Sequence, residues 1–331
     1  MEVSHVNTLF TWMDHVATII EQHEKEPYLD SLAHAMNVLF QNQTDHIADD
    51  LLSHKLNGEL EKIQIDQFST IEIRKAVQLA ILKGMKDTTQ QQHLITPESV
   101  AMFVGYIVEK LFAQQEKVMI FDPACGTSNL LTTVISQLEN KTIEAYGSEV
   151  DPTLVQLSLQ NANLQEMEIE YFHQDSLRPF LLDPVDLVVT DLPVGYYPDD
   201  VRASQFELKA DEGHSYAHHL FIEQSITYTR EGGYLIFIVP NFMFDGVEAN
   251  KLHAFLKEKA VIIGLLQLPE SMFKVEKNAK SIFIIQKKGE QVQQVKQPLL
   301  AKLPSFNNTK AMEDMLSQLN AWFKDNLAER S

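Results

Sequence analysis

Twelve consecutive residues, Ile120-Phe121-Asp122-Pro123-Ala124-Cys125-Gly126-Thr127-Ser128-Asn129-Leu130-Leu131, have the make-up of a ligand-binding turn. An apolar run over residues 118–121 reads as a buried parallel strand and ends in an acid. A glycine and two hydroxyl residues then open an apolar helix. Gly126 carries no Cβ, so backbone N–H groups and a helix N-terminus can come close to a ligand there. Asp122 adds a fixed negative charge, which opposes a pyrophosphate and favours a cationic amine. The turn holds one glycine and has neither G-x-G-x-x-G nor G-K-[ST], so neither a nicotinamide site nor a P-loop suits it.

In a doubly wound sheet, ligands bind beyond the carboxyl ends of the strands. The first four strand ends here carry Asp122, Glu149, Asp175 and Asp191. Glu149, in Gly147-Ser148-Glu149-Val150-Asp151-Pro152, follows the glycine turn by roughly twenty residues, where an acid grips ribose hydroxyls. Hydrogen bonds to such a charged acceptor contribute roughly 1.5–3 kcal/mol each. Asp151 reads instead as the cap of the next helix, with Pro152 in its first turn. Asp175, in His173-Gln174-Asp175-Ser176-Leu177, suits an adenine exocyclic amine or is a plain loop carboxylate. The combination fits S-adenosyl-L-methionine, which has an ammonium, a sulfonium, a ribose and an adenine but no phosphate. The fourth acid opens Asp191-Leu192-Pro193-Val194-Gly195-Tyr196-Tyr197-Pro198. This proline-stiffened loop aims a carboxylate and backbone carbonyls at one acceptor amine, and methyl transfer then needs mainly proximity and in-line geometry.

The elements that must hold these residues alternate from strand to helix. Strands are expected at 118–121, 144–149, 170–173, 186–190, 233–239, 261–267 and 281–286. Helices are expected at 129–138, 152–163, 216–229 and 248–257. The last two strands leave no room for a crossover helix, so they form an antiparallel pair. The fold expected is α/β, a Rossmann-like, doubly wound, mostly parallel seven-stranded sheet with an antiparallel last strand. Residues 1–88 form a small all-α N-terminal domain, with Leu32, Ala35, Met36 and Leu39 on one face and Ile71, Ala76, Leu79, Ala80 and Ile81 on another. Residues 86–92 read as a linker, residues 89–290 as the α/β core, and residues 291–331 as an extension. That extension ends in an amphipathic helix bearing Met312, Met315, Leu316, Leu319 and Phe323.

A chain of 331 residues with 44% hydrophobic content can build such a core. No apolar run reaches membrane-span length and residues 1–20 lack a signal-peptide pattern, so a cytoplasmic setting without membrane contact is expected. The single cysteine, Cys125, cannot form an internal disulfide and reads as a small turn residue. A formal charge of −19 repels polyanions at long range.

The motifs Asp-Pro-Ala-Cys-Gly-Thr, Ser-Glu-Val-Asp-Pro, Gln-Asp-Ser-Leu and Asp-Leu-Pro-Val resemble motifs I to IV of class I S-adenosylmethionine-dependent methyltransferases. More narrowly they are similar to amino-group DNA adenine methylases, including modification subunits of type I restriction systems. There is a further likeness to a bacterial group of N6-adenine-methylase-like proteins with a helical N-terminal domain. His93-Leu94-Ile95-Thr96-Pro97 resembles the segment that touches the methionine moiety in that family. Residues 232–240 and 268–273 match later landmarks, so the likeness spans about residues 92–288. It implies cofactor contacts from Thr96, Pro97, Asp122, Ala124, Gly126, Thr127, Glu149, Val150, Asp175, Ser176 and Asp191. It implies catalytic roles for Asp191 and Pro193, with Tyr196 as a stacking replacement. The substrate implied is nucleic acid, DNA more than RNA, with a protein partner supplying target recognition.

Three departures stand beside the likeness. The family loop reads Asn/Asp/Ser-Pro-Pro-Tyr/Phe, whereas Leu192 replaces the first proline here and Val194 the aromatic. Few residues follow the core, and the net charge is acidic. A cofactor-binding regulatory or assembly protein, or a methyltransferase for RNA or protein, is the alternative. Lys274, Lys277 and Lys280 read as a solvated loop, and His214, His218 and His219 as a capped helix start, with no metal expected. Phe242, Met243 and Phe244 either line the substrate pocket or pack under it.

Overall fold

The structure, a computed structural model, describes residues 4–45, 47–86, 95–179, 181–246 and 248–327. Past Lys86, the expected linker lies outside the described residues.

Four helices come first: α1 (His5–Glu24), α2 (Tyr28–Gln41), α3 (Asp50–Leu60) and α4 (Thr70–Gly84). Their starts follow from local chemistry. Ser4 accepts from the Asn7 N–H and Asp49 from the Leu52 N–H, while Ser69 and Glu72 form a reciprocal capping box. Leu9, Met13, Leu32, Met36, Leu56 and Ala76 are buried in a shared core. The α4 stripe differs from expectation. Ile71 and Leu79 are 52% and 41% exposed, while Ile73, Ala76, Val77, Ala80 and Ile81 are buried. Those five follow the i, i+3, i+4, i+7, i+8 spacing of one helix face, which the other two leave.

The α/β part begins with α5 (Glu98–Leu111) and β1 (Lys117–Asp122), then α6 (Asn129–Ile135), β2 (Thr142–Glu149), α7 (Pro152–Leu164), β3 (Ile169–His173) and β4 (Val185–Asp191). It continues through α8 (Asp200–Ala203), α9 (Ala217–Tyr228), β5 (Thr229–Pro240), α10 (Ala249–Lys259), β6 (Ala260–Gln267), β7 (Lys280–Lys287), β8 (Leu299–Lys302) and α11 (Thr309–Leu327). The strands form one sheet in the order β3-β2-β1-β4-β5-β7-β6-β8. Only β7 runs antiparallel to its neighbours.

The sheet therefore has eight strands rather than seven, and its last strand in the chain is parallel to β6. The four residues of β8 carry little signal of their own, and pairing with the β6 edge decides their conformation. Side chains alternate between two cores, as a pleated strand requires. Val118, Ile120, Leu187, Val189, Ile236 and Ile238 enter the core that holds Leu319 and Phe323 of α11. Phe121, Val188, Leu235, Phe237 and Val239 enter the core under α9 and α10. The helical domain is tied to this body through Leu157 and Leu164 of α7, which complete its core. Buried Arg74 also reaches across, donating to Ser136 Oγ at 3.1 Å and pairing with Glu98. Among the described residues, no helix is long and apolar enough to cross a membrane.

Candidate active site

Chain order runs outward from β1 to β2 and β3, then restarts on the other side of β1 with β4. The switch point between β1 and β4 is where an open α/β sheet binds its ligand. Asp122 closes β1 and Asp191 closes β4. The two acids flank the crevice.

The turn after β1 is built for close approach. Gly126 has φ +56° and Ser128, which precedes α6, has φ +65°. The Cys125 N–H donates to the Ser148 carbonyl of β2 at 3.0 Å, which lashes the turn to the neighbouring strand. Gly147 permits that contact: a Cβ there would meet Tyr171 at 2.8 Å and Cys125 Sγ at 3.1 Å. Tyr171 donates to Ser128 Oγ at 2.7 Å. Thr127 is buried, and its carbonyl accepts from Asn161 at 2.9 Å.

Glu149 bridges turn and strand. Its Oε2 accepts from the Gly126 N–H at 3.0 Å, and its Oε1 from the N–H groups of Val150 at 2.8 Å and Asp151 at 3.0 Å. A carboxylate has roughly four acceptor sites, so about one remains for a ligand hydroxyl. Asp151 caps α7 as expected, accepting from Thr153 and Leu154. Val150 is 66% exposed and offers an apolar surface at this rim.

Asp122 is 1% exposed, and its Oδ1 accepts from the Ala124 N–H at 3.0 Å. Burial pushes its carboxyl up to about 7; the charges of Glu149 and Asp191 add to this, against the hydrogen bond from Ala124. Both neighbouring acids thus lie close enough to act on Asp122. The Cys125 thiol is driven well above its ordinary range by burial and by Asp122 and Glu149, so it has no thiolate character.

Other predicted residues have partners of their own. Ser176 is buried and donates to the Pro123 carbonyl at 2.6 Å. Asp175 accepts from the Leu177 N–H and from the Tyr197 hydroxyl. Tyr197 is therefore committed to Asp175, whereas Tyr196 is 62% exposed and stacks on Tyr216 with ring centroids 4.9 Å apart. Thr96 donates to Asp191 Oδ2 at 3.2 Å, and its carbonyl accepts from Asn129 at 2.6 Å. Pro97 is exposed at the start of α5; His93 and Leu94 lie outside the described residues. In the loop after β4, Pro193 is half-buried and Val194 is 37% exposed. Leu192 is 2% exposed, and its N–H donates to the Ile238 carbonyl at 3.1 Å, a bond that proline cannot make.

Two features differ from the sequence reading, the place of Lys280 and the start of α9. Lys280 is no loop residue: it opens β7, is 8% exposed, and pairs with Asp191 Oδ1 at 2.6 Å. Lys274 and Lys277 are exposed. No side chain caps α9; His214 pairs with Asp200, and His218 and His219 are buried against Tyr216. Phe242 is 46% exposed near His218, whereas Met243 is core and Phe244 packs on Phe283. Among the described residues, no group of acids, histidines and cysteine is arranged to hold a metal ion.

Fold and rim together define a Rossmann-like methyltransferase. Residues 81–326 match the N-6 DNA Methylase family, and the chain belongs to that family. Residues 7–85 match the YtxK N-terminal helical domain. The chain is 46% identical to the uncharacterized protein YtxK of Bacillus subtilis (strain 168), over 98% of this chain and 99% of that one. It is 42% identical to a solved protein from Listeria monocytogenes described as a candidate class I S-adenosylmethionine-dependent methyltransferase, with a TM-score of 0.90 over 97% and 99% of the two chains. A modification subunit of a candidate type I restriction enzyme from Vibrio vulnificus YJ016 shares the fold, with 16% identity and a TM-score of 0.65 over 88% of this chain and 66% of that one.

Family and fold assign S-adenosyl-L-methionine as the cofactor. The rim suits it chemically. A cation relieves the repulsion that Glu149 and Asp191 exert on the buried Asp122 carboxyl, and the open turn at Gly126 admits a nucleoside without steric cost.

Proposed function

We propose that this chain methylates the N6 amine of adenine in DNA, using S-adenosyl-L-methionine, and that a protein partner supplies target recognition. The observation that carries the reading is Asp191, an acceptor across the switch point from Asp122 whose charge bears on that buried carboxyl. The family itself and the shared fold with a restriction-enzyme modification subunit support the substrate. The formal charge of −19 supports a partner, because DNA gains nothing from this chain at long range.

In this reading, Asp122, Glu149 and Asp175 hold the cofactor's charged and hydroxyl groups. The backbone of Ala124, Gly126 and Thr127 lines its approach, beside Val150 and Ser176, and the Thr96-Pro97 segment closes it. The cofactor supplies an electrophilic methyl group. Asp191 and the carbonyls of the Pro193 loop accept from the amine N–H groups and so point its lone pair along the transfer axis. A duplex base must be flipped to reach them. Tyr196 offers the stacking ring that Val194 does not, a contact worth roughly 1–3 kcal/mol.

Labelled cofactor incubated with duplex DNA, RNA and protein, in the presence of cell extract as a source of partners, tests the proposal. N6-methyladenine in DNA, lost in Asp191→Ala, is expected. Label confined to RNA or protein overturns the acceptor. Cofactor binding with label in none would leave a cofactor-dependent assembly protein.

A further inference from the structure

Both oxygens of the Asp191 carboxylate already have partners: Lys280 Nζ on Oδ1 at 2.6 Å and the Thr96 hydroxyl on Oδ2 at 3.2 Å. A buried lysine is rare unless paired. A buried ion pair is also weak ground for stability, since desolvation offsets the attraction. Its place at the β1–β4 switch point therefore calls for a use.

Lys280 is held rigidly. It stands in antiparallel register with Pro240, and its carbonyl accepts from the Leu268 N–H at 3.0 Å. The flanking residues are tied as well, with the Asn241 N–H on the Ala279 carbonyl at 2.9 Å and Ser281 Oγ on Asn241 Oδ1 at 2.7 Å. The Lys280 and Asp191 side chains nevertheless keep 10% and 19% exposure, so the pair is not sealed from an incoming group.

An ammonium has three N–H donors, and a carboxylate roughly four acceptor sites. After bonding to each other, Lys280 retains donors and Asp191 retains acceptors, side by side. We infer that Lys280 reads the substrate: it donates to the ring acceptor next to the methylated amine, N1 of adenine, while Asp191 accepts from the N6 amine. The inference rests on the proposed function and names the edge of the base that the site recognises. A flipped base is commonly read along its Watson–Crick edge. An alkylamine has no neighbouring acceptor and leaves the lysine without a match. A base with a C–H in place of N1 keeps its shape and its amine but leaves a donor unpaired, the kind of mismatch that polar sites reject strongly.

The test titrates adenosine and 1-deazaadenosine into protein saturated with S-adenosylhomocysteine, for the wild type, Lys280→Met and Lys280→Arg. The wild type should prefer adenosine about tenfold or more, the worth of one charge-assisted hydrogen bond. The preference should shrink to about twofold or less in Lys280→Met and return largely in Lys280→Arg, with S-adenosylhomocysteine affinity the same in all three. Equal affinity for the two nucleosides in the wild type overturns the role of Lys280, and that comparison stands even if a variant fails to fold. Discrimination that persists in Lys280→Met also overturns it. Failure of adenosine itself to bind overturns the adenine reading on which this rests.

Discussion

Asp122→Asn separates the electrostatics of the rim from its shape. The side-chain carbonyl that accepts from the Ala124 N–H is retained, while the ionisable group is removed. In the folded wild type, burial first and the Glu149 and Asp191 charges next raise this carboxyl from 3.8 to about 7. An acid with a raised folded-state pKa favours the folded state while protonated. The unfolded chain loses its proton near pH 3.8 and the folded chain only near 7, so wild-type stability falls as pH rises through that window. At 1.36 kcal/mol per pH unit the full penalty is about 4 kcal/mol, an upper figure that relaxation of the folded state reduces. Urea unfolding at pH 4 and pH 8 measures it. Asp122→Asn should match wild type at pH 4 within about 1 kcal/mol and exceed it by several kcal/mol at pH 8. A bound cation relieves the same penalty. S-adenosylmethionine should therefore stabilise wild type more than the variant at pH 8, and uncharged-sulfur S-adenosylhomocysteine should show a smaller difference. Parallel pH profiles for the two proteins, or equal stabilisation by both ligands, would refute the reasoning.

Three further outcomes are expected. Burial, with some help from neighbouring charge, lowers the pKa of His218 to about 3 and of His219 to about 4, so both stay neutral in the folded state. The unfolded chain takes up these protons near pH 6.5, so stability falls below that pH; His218→Phe should lose less between pH 6.5 and 4.5 by urea titration, and an unchanged slope would count against it. Leu192→Pro removes the hydrogen bond to Ile238 and a buried side chain, and should cost about 2–4 kcal/mol in urea unfolding. No loss would mean that Leu192 is not why the chain departs from the family's double proline. Ser69→Ala should cost about 1 kcal/mol by breaking the α4 capping box, and a neutral result would show that cap to be idle.

Most of the fold was legible because strands buried on both faces print as apolar runs and their ends print as acids. β1 and β4 are found within one residue of the expected bounds for that reason. The β8 strand was not, since residues 299–302 are ordered by an edge that only the folded sheet provides. At the strand ends, Asp122, Glu149 and Asp191 could be placed from the sequence, but their partners could not. Lys280 looks like one of three loop lysines until antiparallel pairing brings it to a carboxylate 89 positions away. Tyr196 and Tyr197 are adjacent and chemically alike, yet Asp175 takes one and solvent the other. Arg74 sits amid apolar residues of α4 and is explained only by Glu98 and Ser136, which the chain supplies later. Periodicity reports which residues are buried; it does not report what a buried charge will meet.

The most direct test is calorimetric titration of the protein with S-adenosylmethionine, S-adenosylhomocysteine and NAD, repeated on Glu149→Ala. The first two ligands should bind, NAD should not, and the substitution should weaken binding strongly because it removes both a hydroxyl acceptor and the tie to the Gly126 turn. Tight NAD binding, or Glu149→Ala binding as well as wild type, would contradict a strand-end cradle built for a sulfonium nucleoside.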